Sequence, residues 1–162
     1  MQVAVIGGAK CSDDVRKTAY DLGKKLAERG HTLVCGGLGG VMEAVCSGAS
    51  DGGGAVVGIL PGEKDEANPW VSIAIATGMG HARNVVIVKS ADAVIALPGE
   101  YGTLSEIALA LKMGKKVISL HACAIPGVVS AKTTEEAVLL LEPTRKRALG
   151  HARKHHGSIS DD

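Results

Sequence analysis

The feature that most constrains this chain is a repeated alternation of short apolar runs and helix-length amphipathic stretches. Gln2–Ile6 stops at Gly7-Gly8, Thr32–Cys35 at Gly36-Gly37, and Ala55–Leu60 at Pro61-Gly62. Runs this short and this rich in Val and Ile, closed by Gly or Pro, read as strands buried on both faces, the pattern of a parallel sheet. Between the first two runs, Val15, Ala19, Leu22 and Leu26 recur at helical spacing. Ser12 or Asp13 stands at the start as cap and Gly30 at the end as stop, which predicts a helix over Asp14–Arg29. Further helices are expected over Gly40–Ser50, His81–Ser90 and Thr103–Met113. A last one, capped by Thr133 or Thr134, runs to about Leu141. Further strands fall at Val71–Ala76, Ala93–Leu97 and Lys116–Leu120, with Glu63–Trp70 as a polar loop. Strands separated by helices predict an α/β fold: one doubly wound domain with a mostly parallel sheet covered on both faces.

Composition narrows the function classes. The 162 residues include 22 Gly, yet show no Gly-X-Y period, so the glycines belong to turns and close backbone approaches. Aromatics are 2% of the chain, too few for a platform that stacks single-stranded bases. The body, residues 1–142, is slightly acidic and reads as a nucleotide- or phosphate-binding domain. Residues 143–162 carry Arg145, Lys146, Arg147, Arg153 and Lys154 with three histidines, and are expected to form a partly disordered basic tail. A nucleic-acid partner is therefore not expected. Cys11, Cys35, Cys46 and Cys123 form no C-x-x-C pair, which argues against a zinc site, and no metal is expected. No apolar run is long enough to span a bilayer, and no leader pattern precedes the first strand. No membrane partner and a cytoplasmic location are the expectations.

In doubly wound sheets, ligands bind beyond the C-terminal ends of the strands, where the strand order reverses. The glycines cluster in the loops that should meet there. Cys35-Gly-Gly-Leu-Gly-Gly-Val-Met-Glu-Ala-Val45 is a glycine-rich strand-to-helix turn, whose backbone N–H groups and helix dipole suit a phosphate. The same glycines would also serve a tight turn alone. There is no G-x-G-x-x-G in the first loop and no G-x-x-x-x-G-K-[ST] anywhere, which excludes a dinucleotide fingerprint and a P-loop. A second loop reads Pro98-Gly-Glu-Tyr-Gly-Thr-Leu-Ser-Glu106. Here Thr103 and Glu106 have the spacing of a capping box. Glu106 is equally placed to grip ribose hydroxyls or to act as an acid or base. Between the two loops, Arg83 suits a phosphate or a developing charge. His81 is a weaker candidate, and Lys10 and Ser12 in the first loop are candidates for ligand contact.

The pair GGLGGVMEAV (36–45) and LPGEYGTLSE (97–106), with an arginine between them, resembles the LONELY GUY or "lysine decarboxylase-like" superfamily. Its signature is GGGxxGxMG followed by PGGxGTxxE. The resemblance covers residues 2 to about 141. It implies a Rossmann-like fold and, for members of known activity, hydrolysis of the N-glycosidic bond of nucleoside 5′-monophosphates to base and ribose 5-phosphate. It also implies Arg83 and Glu106 as the catalytic pair and Gly99, Gly102 and Thr103 as the phosphate cradle. Two positions depart from the phosphoribohydrolases. Asn84 stands where they carry Lys, and Glu100 where they carry a second Gly. These departures, with the run GTLSEIALALKMGKKVI, look closer to the branch that holds the molybdenum cofactor carrier proteins and uncharacterised relatives.

The candidate set is then Arg83 and Glu106 for chemistry, with Gly8, Gly36, Gly37, Gly39, Gly40, Met42, Glu43, Pro98, Gly99, Gly102 and Thr103 for a phosphate-bearing, nucleotide-like ligand. No cofactor is required for hydrolysis, and the ligand is expected to be an AMP-like nucleotide or a pterin cofactor. The alternatives are a non-catalytic carrier of a phosphorylated cofactor and a nucleotide sensor. The resemblance further implies a homo-oligomer, a dimer or higher.

Overall fold

The structure is a computed structural model, and it describes residues 1–142; the expected basic tail lies outside the described residues. Seven strands form one sheet: β1 (Gln2–Ile6), β2 (Thr32–Cys35), β3 (Val56–Leu60), β4 (Ile73–Ala76), β5 (Ala93–Ala96), β6 (Lys116–Leu120) and β7 (Val129–Ala131). Their order is β4-β3-β2-β1-β5-β6-β7, and every pairing is parallel. Among the described residues four helices cross between strands, α1 (Asp13–Glu28), α2 (Val41–Asp51), α3 (Asn84–Ser90) and α4 (Tyr101–Lys112), and a fifth, α5 (Thr134–Leu139), follows β7.

The two-residue period of a strand sorts its side chains onto two cores. Val3 and Val5 of β1, with Leu33, Cys35 and Ile95, pack under α1, α2 and α5. Ala4 and Ile6, with Val34, Val94 and Ala96, pack under α3 and α4. Each of these strand residues is at most 2% exposed, so the apolar runs are continuous because both faces are covered. Ser12 caps α1 by accepting from the Val15 N–H at 3.4 Å, and Thr133 caps α5 by accepting from the Glu136 N–H at 3.1 Å. Ser12 is not among the residues that line the cleft described below.

Strand β7 is absent from the sequence reading. It is three residues long and exposed at two of them, so it carries no apolar run to find. The segment expected as one helix over His81–Ser90 is a 3-10 turn (Gly80–Arg83) followed by α3. Helix α4 begins at Tyr101, two residues before the expected start, and this change takes Thr103 and Glu106 out of the capping-box positions. Among the described residues, no helix is long and apolar enough to cross a membrane, and no group of three or more His, Cys, Asp or Glu side chains could hold a metal ion.

Candidate functional site

Chain order puts β1 in the middle of the sheet, with β2 on one side and β5 on the other. The connections leave β1 and β5 toward opposite faces, so the loops at their C-terminal ends part and open a crevice. The Gly8 N–H donates to the Pro98 carbonyl at 3.0 Å, and the Val41 N–H donates to the Gly8 carbonyl at 3.0 Å. These two bonds tie the loops after β1, β2 and β5 into one rim. Gly40 has φ +66, and a Cβ there would lie 2.4 Å from the Gly8 carbonyl oxygen, so only glycine permits the approach. Asn68, in the loop before β4, holds the glycine loop from its other side. Its amide donates to the Gly37 and Leu38 carbonyls at 3.1 and 3.0 Å.

The crevice has a volume of about 570 Å³. Gly8, Gly36, Met42, Arg83, Gly102, Thr103 and Glu106 of the candidate set line it. The lining also includes Lys10, His81, Asn84 and Glu100, with an apolar wall that contains Leu38, Met42 and Pro61. Other candidates support the rim from outside. Gly37 and Pro98 spend their carbonyls on Asn68 and Gly8, and Gly40 packs on the Gly8–Ala9 backbone. Gly39 borders Ala9 without lining the crevice, and Gly99 packs against Gly8 and Thr103. Glu43 points to Arg16 of α1, 3.7 Å away, and does not reach the crevice.

At the start of α4, Glu100 occupies the cap position in an extended conformation and makes no side-chain cap hydrogen bond. Thr103 therefore sits in the helix's first turn, where the glutamate of a capping box would stand, and Glu106 is too far along to cap anything. The first helical bond runs from the Leu104 N–H to the Glu100 carbonyl at 3.1 Å. The N–H groups of Tyr101, Gly102 and Thr103 have no partner inside the helix, which leaves an anion site at the crevice. A Cβ on Gly102 would meet open space, so nothing in the fold obstructs this approach.

Glu106 is only 6% exposed and has no ion-pair partner among the described residues. Burial raises its carboxyl to about 7, against the opposing pull of the Arg83 charge. Arg83 is 8% exposed. Burial lowers it from the usual guanidinium value, and the negative charge of Glu106 acts in the opposite sense. Its fork is fixed by neutral acceptors alone: Nη1 donates to Asn84 Oδ1, and Nη2 to the Gly36 carbonyl at 3.5 Å. A Cβ on Gly36 would lie 2.6 Å from both Nη2 and the Met42 sulfur, so a larger residue here would push these side-chain ends aside. An acid that titrates near neutrality and a buried cation with no ion-pair contact among the described residues thus face one crevice, next to a helix N-terminus. That arrangement can bind an anion, hold sugar hydroxyls and move a proton.

The SLOG cluster4 family profile matches residues 1–149. The chain belongs to the SLOG cluster4 family. A protein of Archaeoglobus fulgidus described as uncharacterized is 54% identical over 139 residues, which is 85% of this chain and 92% of that protein. The rice cytokinin riboside 5′-monophosphate phosphoribohydrolase LOG is 42% identical over 94 residues, 55% of this chain but only 38% of the enzyme. Among solved structures, the molybdenum cofactor binding protein of Rippkaea orientalis is 37% identical, with a TM-score of 0.79 over 86% of this chain and 93% of that one. The molybdenum cofactor carrier protein of Chlamydomonas reinhardtii is 31% identical, with a TM-score of 0.78 over 86% and 95%. DNA processing protein A of Helicobacter pylori, at 18% identity and a TM-score of 0.68, shares the fold alone. This SLOG family member therefore sits, as its motifs imply, in the LONELY GUY superfamily near the molybdenum cofactor carriers.

Proposed function

We propose that the crevice binds a phosphate-bearing, nucleotide-like ligand and hydrolyses the N-glycosidic bond of a nucleoside 5′-monophosphate. The observation that carries the proposal is the buried, unpaired Glu106, raised to about 7, beside the buried Arg83 and the open start of α4. The phosphate docks on the Tyr101–Thr103 N–H groups, assisted by the Thr103 hydroxyl. Glu106 accepts hydrogen bonds from the ribose and, once ionised, takes the proton of the attacking water. Arg83 stabilises negative charge on the departing base. Water adds to the oxocarbenium-like carbon, and the products are the free base, which takes up a proton, and ribose 5-phosphate. The plant phosphoribohydrolase likeness supports this reading.

The test incubates the purified full chain with nucleoside 5′-monophosphates, beginning with AMP, and follows base and ribose 5-phosphate by chromatography. Turnover should rise with pH through about 7 as Glu106 ionises, and Glu106→Gln should reduce it at least ~100-fold. Binding without release across the panel would overturn the hydrolase. A second reading is then favoured by the molybdenum cofactor proteins, which match nearly end to end: a carrier of a phosphorylated pterin cofactor that uses the same cradle without turnover. A carrier should tolerate Glu106→Gln and co-purify with a ligand that absorbs beyond the protein band. A sensor should instead change its assembly state when the nucleotide is added.

A further inference from the structure

Asn84 is the least expected polar group in the crevice wall. It is 9% exposed, it lines the cavity, and it stands where the phosphoribohydrolase pattern has a lysine. It is the first residue of α3, one past the cap position that Arg83 holds, and α3 has no side-chain cap. Its Oδ1 instead accepts from Arg83 Nη1. A guanidinium can only donate, so the amide oxygen must face Arg83 and the amide nitrogen must face away from it. No hydrogen-bond partner of Nδ2 is found among the described residues, and Nδ2 is not among the sealed, unsatisfied atoms. The fork of Arg83 is closed on its other side by the Gly36 carbonyl, and its Nε–H is buried without a partner.

We propose that Asn84 is a positioning residue that clamps Arg83 without neutralising it and turns its own NH₂ group into the crevice to read an acceptor atom of the ligand. In this chain the clamp is neutral. A carboxylate at this position would pair with Arg83, cancel the charge that acts on Glu106, and present no donor to the ligand. A lysine would repel Arg83 and could not accept from it. The class of ligand recognised is one with an oxygen or unprotonated nitrogen acceptor at the Arg83 end of the crevice and a phosphate at the α4 end. The proposal rests on the phosphate-bearing ligand argued above, but the clamp itself does not.

The test compares the full chain with Asn84→Asp, which keeps the shape of the side chain, and Asn84→Ala. The first readout is the titration of the Glu106 carboxyl, followed by ¹³C NMR of glutamate-labelled protein. The other charged and titratable groups around the pair, Lys10, His81 and Glu100 in the crevice and Cys35 and Glu66 toward Arg83, are unchanged in both variants. Asn84→Asp should move the Glu106 midpoint upward by about one unit, because the Arg83 charge is then compensated. The second readout is AMP binding by calorimetry, which should weaken about tenfold or more in both variants, as one hydrogen bond to a charged or buried group is lost. An unchanged midpoint in folded Asn84→Asp overturns the clamp. Undiminished AMP binding in both variants overturns the donor role. If the parent chain does not bind AMP, the nucleotide reading fails, and the Glu106 midpoint alone decides the clamp.

Discussion

Glu106 carries opposing demands. Burial favours its neutral form, while the buried Arg83 favours its ionised form, and the balance near 7 lies above the ordinary 4.5. The folded chain therefore holds a proton on Glu106 in a range where the unfolded chain has released it. Stability from this group is complete below about 4.5 and is lost as pH rises through about 7. A difference of this size corresponds to roughly 3 kcal/mol. Glu106→Gln fixes the neutral form, so its stability should not fall across that window, and it should exceed the parent's at pH 8. Urea unfolding at pH 5 and pH 8 checks this. An equal pH dependence in the two proteins would place the titrating group elsewhere.

At the scale of elements, the position of the glycine loop depends on how closely α1 and α2 cross. A Cβ on Gly48 of α2 would lie 1.9 Å from the Tyr20 carbonyl oxygen of α1, and one on Gly23 of α1 would lie 2.1 Å from the Val45 carbonyl oxygen. The two backbones touch where each helix has a glycine, and this contact sets the angle at which α2 leaves Gly40. Gly48→Ala should cost at least 1–3 kcal/mol in urea unfolding, the usual range for overpacking. It should also weaken AMP binding, because α2 and the Gly36–Gly40 loop must move together. An alanine that leaves stability unchanged would show that the crossing is looser than this geometry. Helix α4 teaches a related point. T-x-x-E at 103–106 has the spacing of a capping box, but the extended backbone at Glu100 starts the helix early and turns Glu106 into the crevice.

Across the whole molecule, strand order does the assembling. Because β5 lies beside β1 and not beside β4, loops about ninety residues apart in sequence meet at one rim, as the Gly8–Pro98 hydrogen bond shows. The β4 edge of the sheet carries exposed apolar side chains. Ile73 and Ile75 of β4 project on the α3 side and remain exposed. The homo-oligomer stays a proposal to which this edge adds an apolar surface. Light scattering of the full chain should give a multiple of 16.5 kDa. A mass of one chain would retire it.

Much of this was legible in the residues themselves. The apolar runs located six of the seven strands, since a strand buried on both faces needs an unbroken Val, Ile, Leu and Ala sequence. Gly36, Gly102, Thr103, Arg83 and Glu106 could be picked out by residue type and motif. Other features left no local signal. β7 has no apolar run, Asn68 braces the glycine loop from a stretch that reads as polar, and Asn84 stands out in the sequence only as a departure from a family pattern, with nothing to say that it contacts Arg83. Local sequence fixes which backbone conformations and which faces are favourable, because those depend on neighbours in the chain. The charge state of Glu106, the neutral clamp on Arg83 and the division of the glycines between crevice wall and supporting rim depend on groups brought together from distant segments. Only the tertiary structure decides them, because desolvation and hydrogen-bond partnership are set by what packs around a group and not by what precedes it.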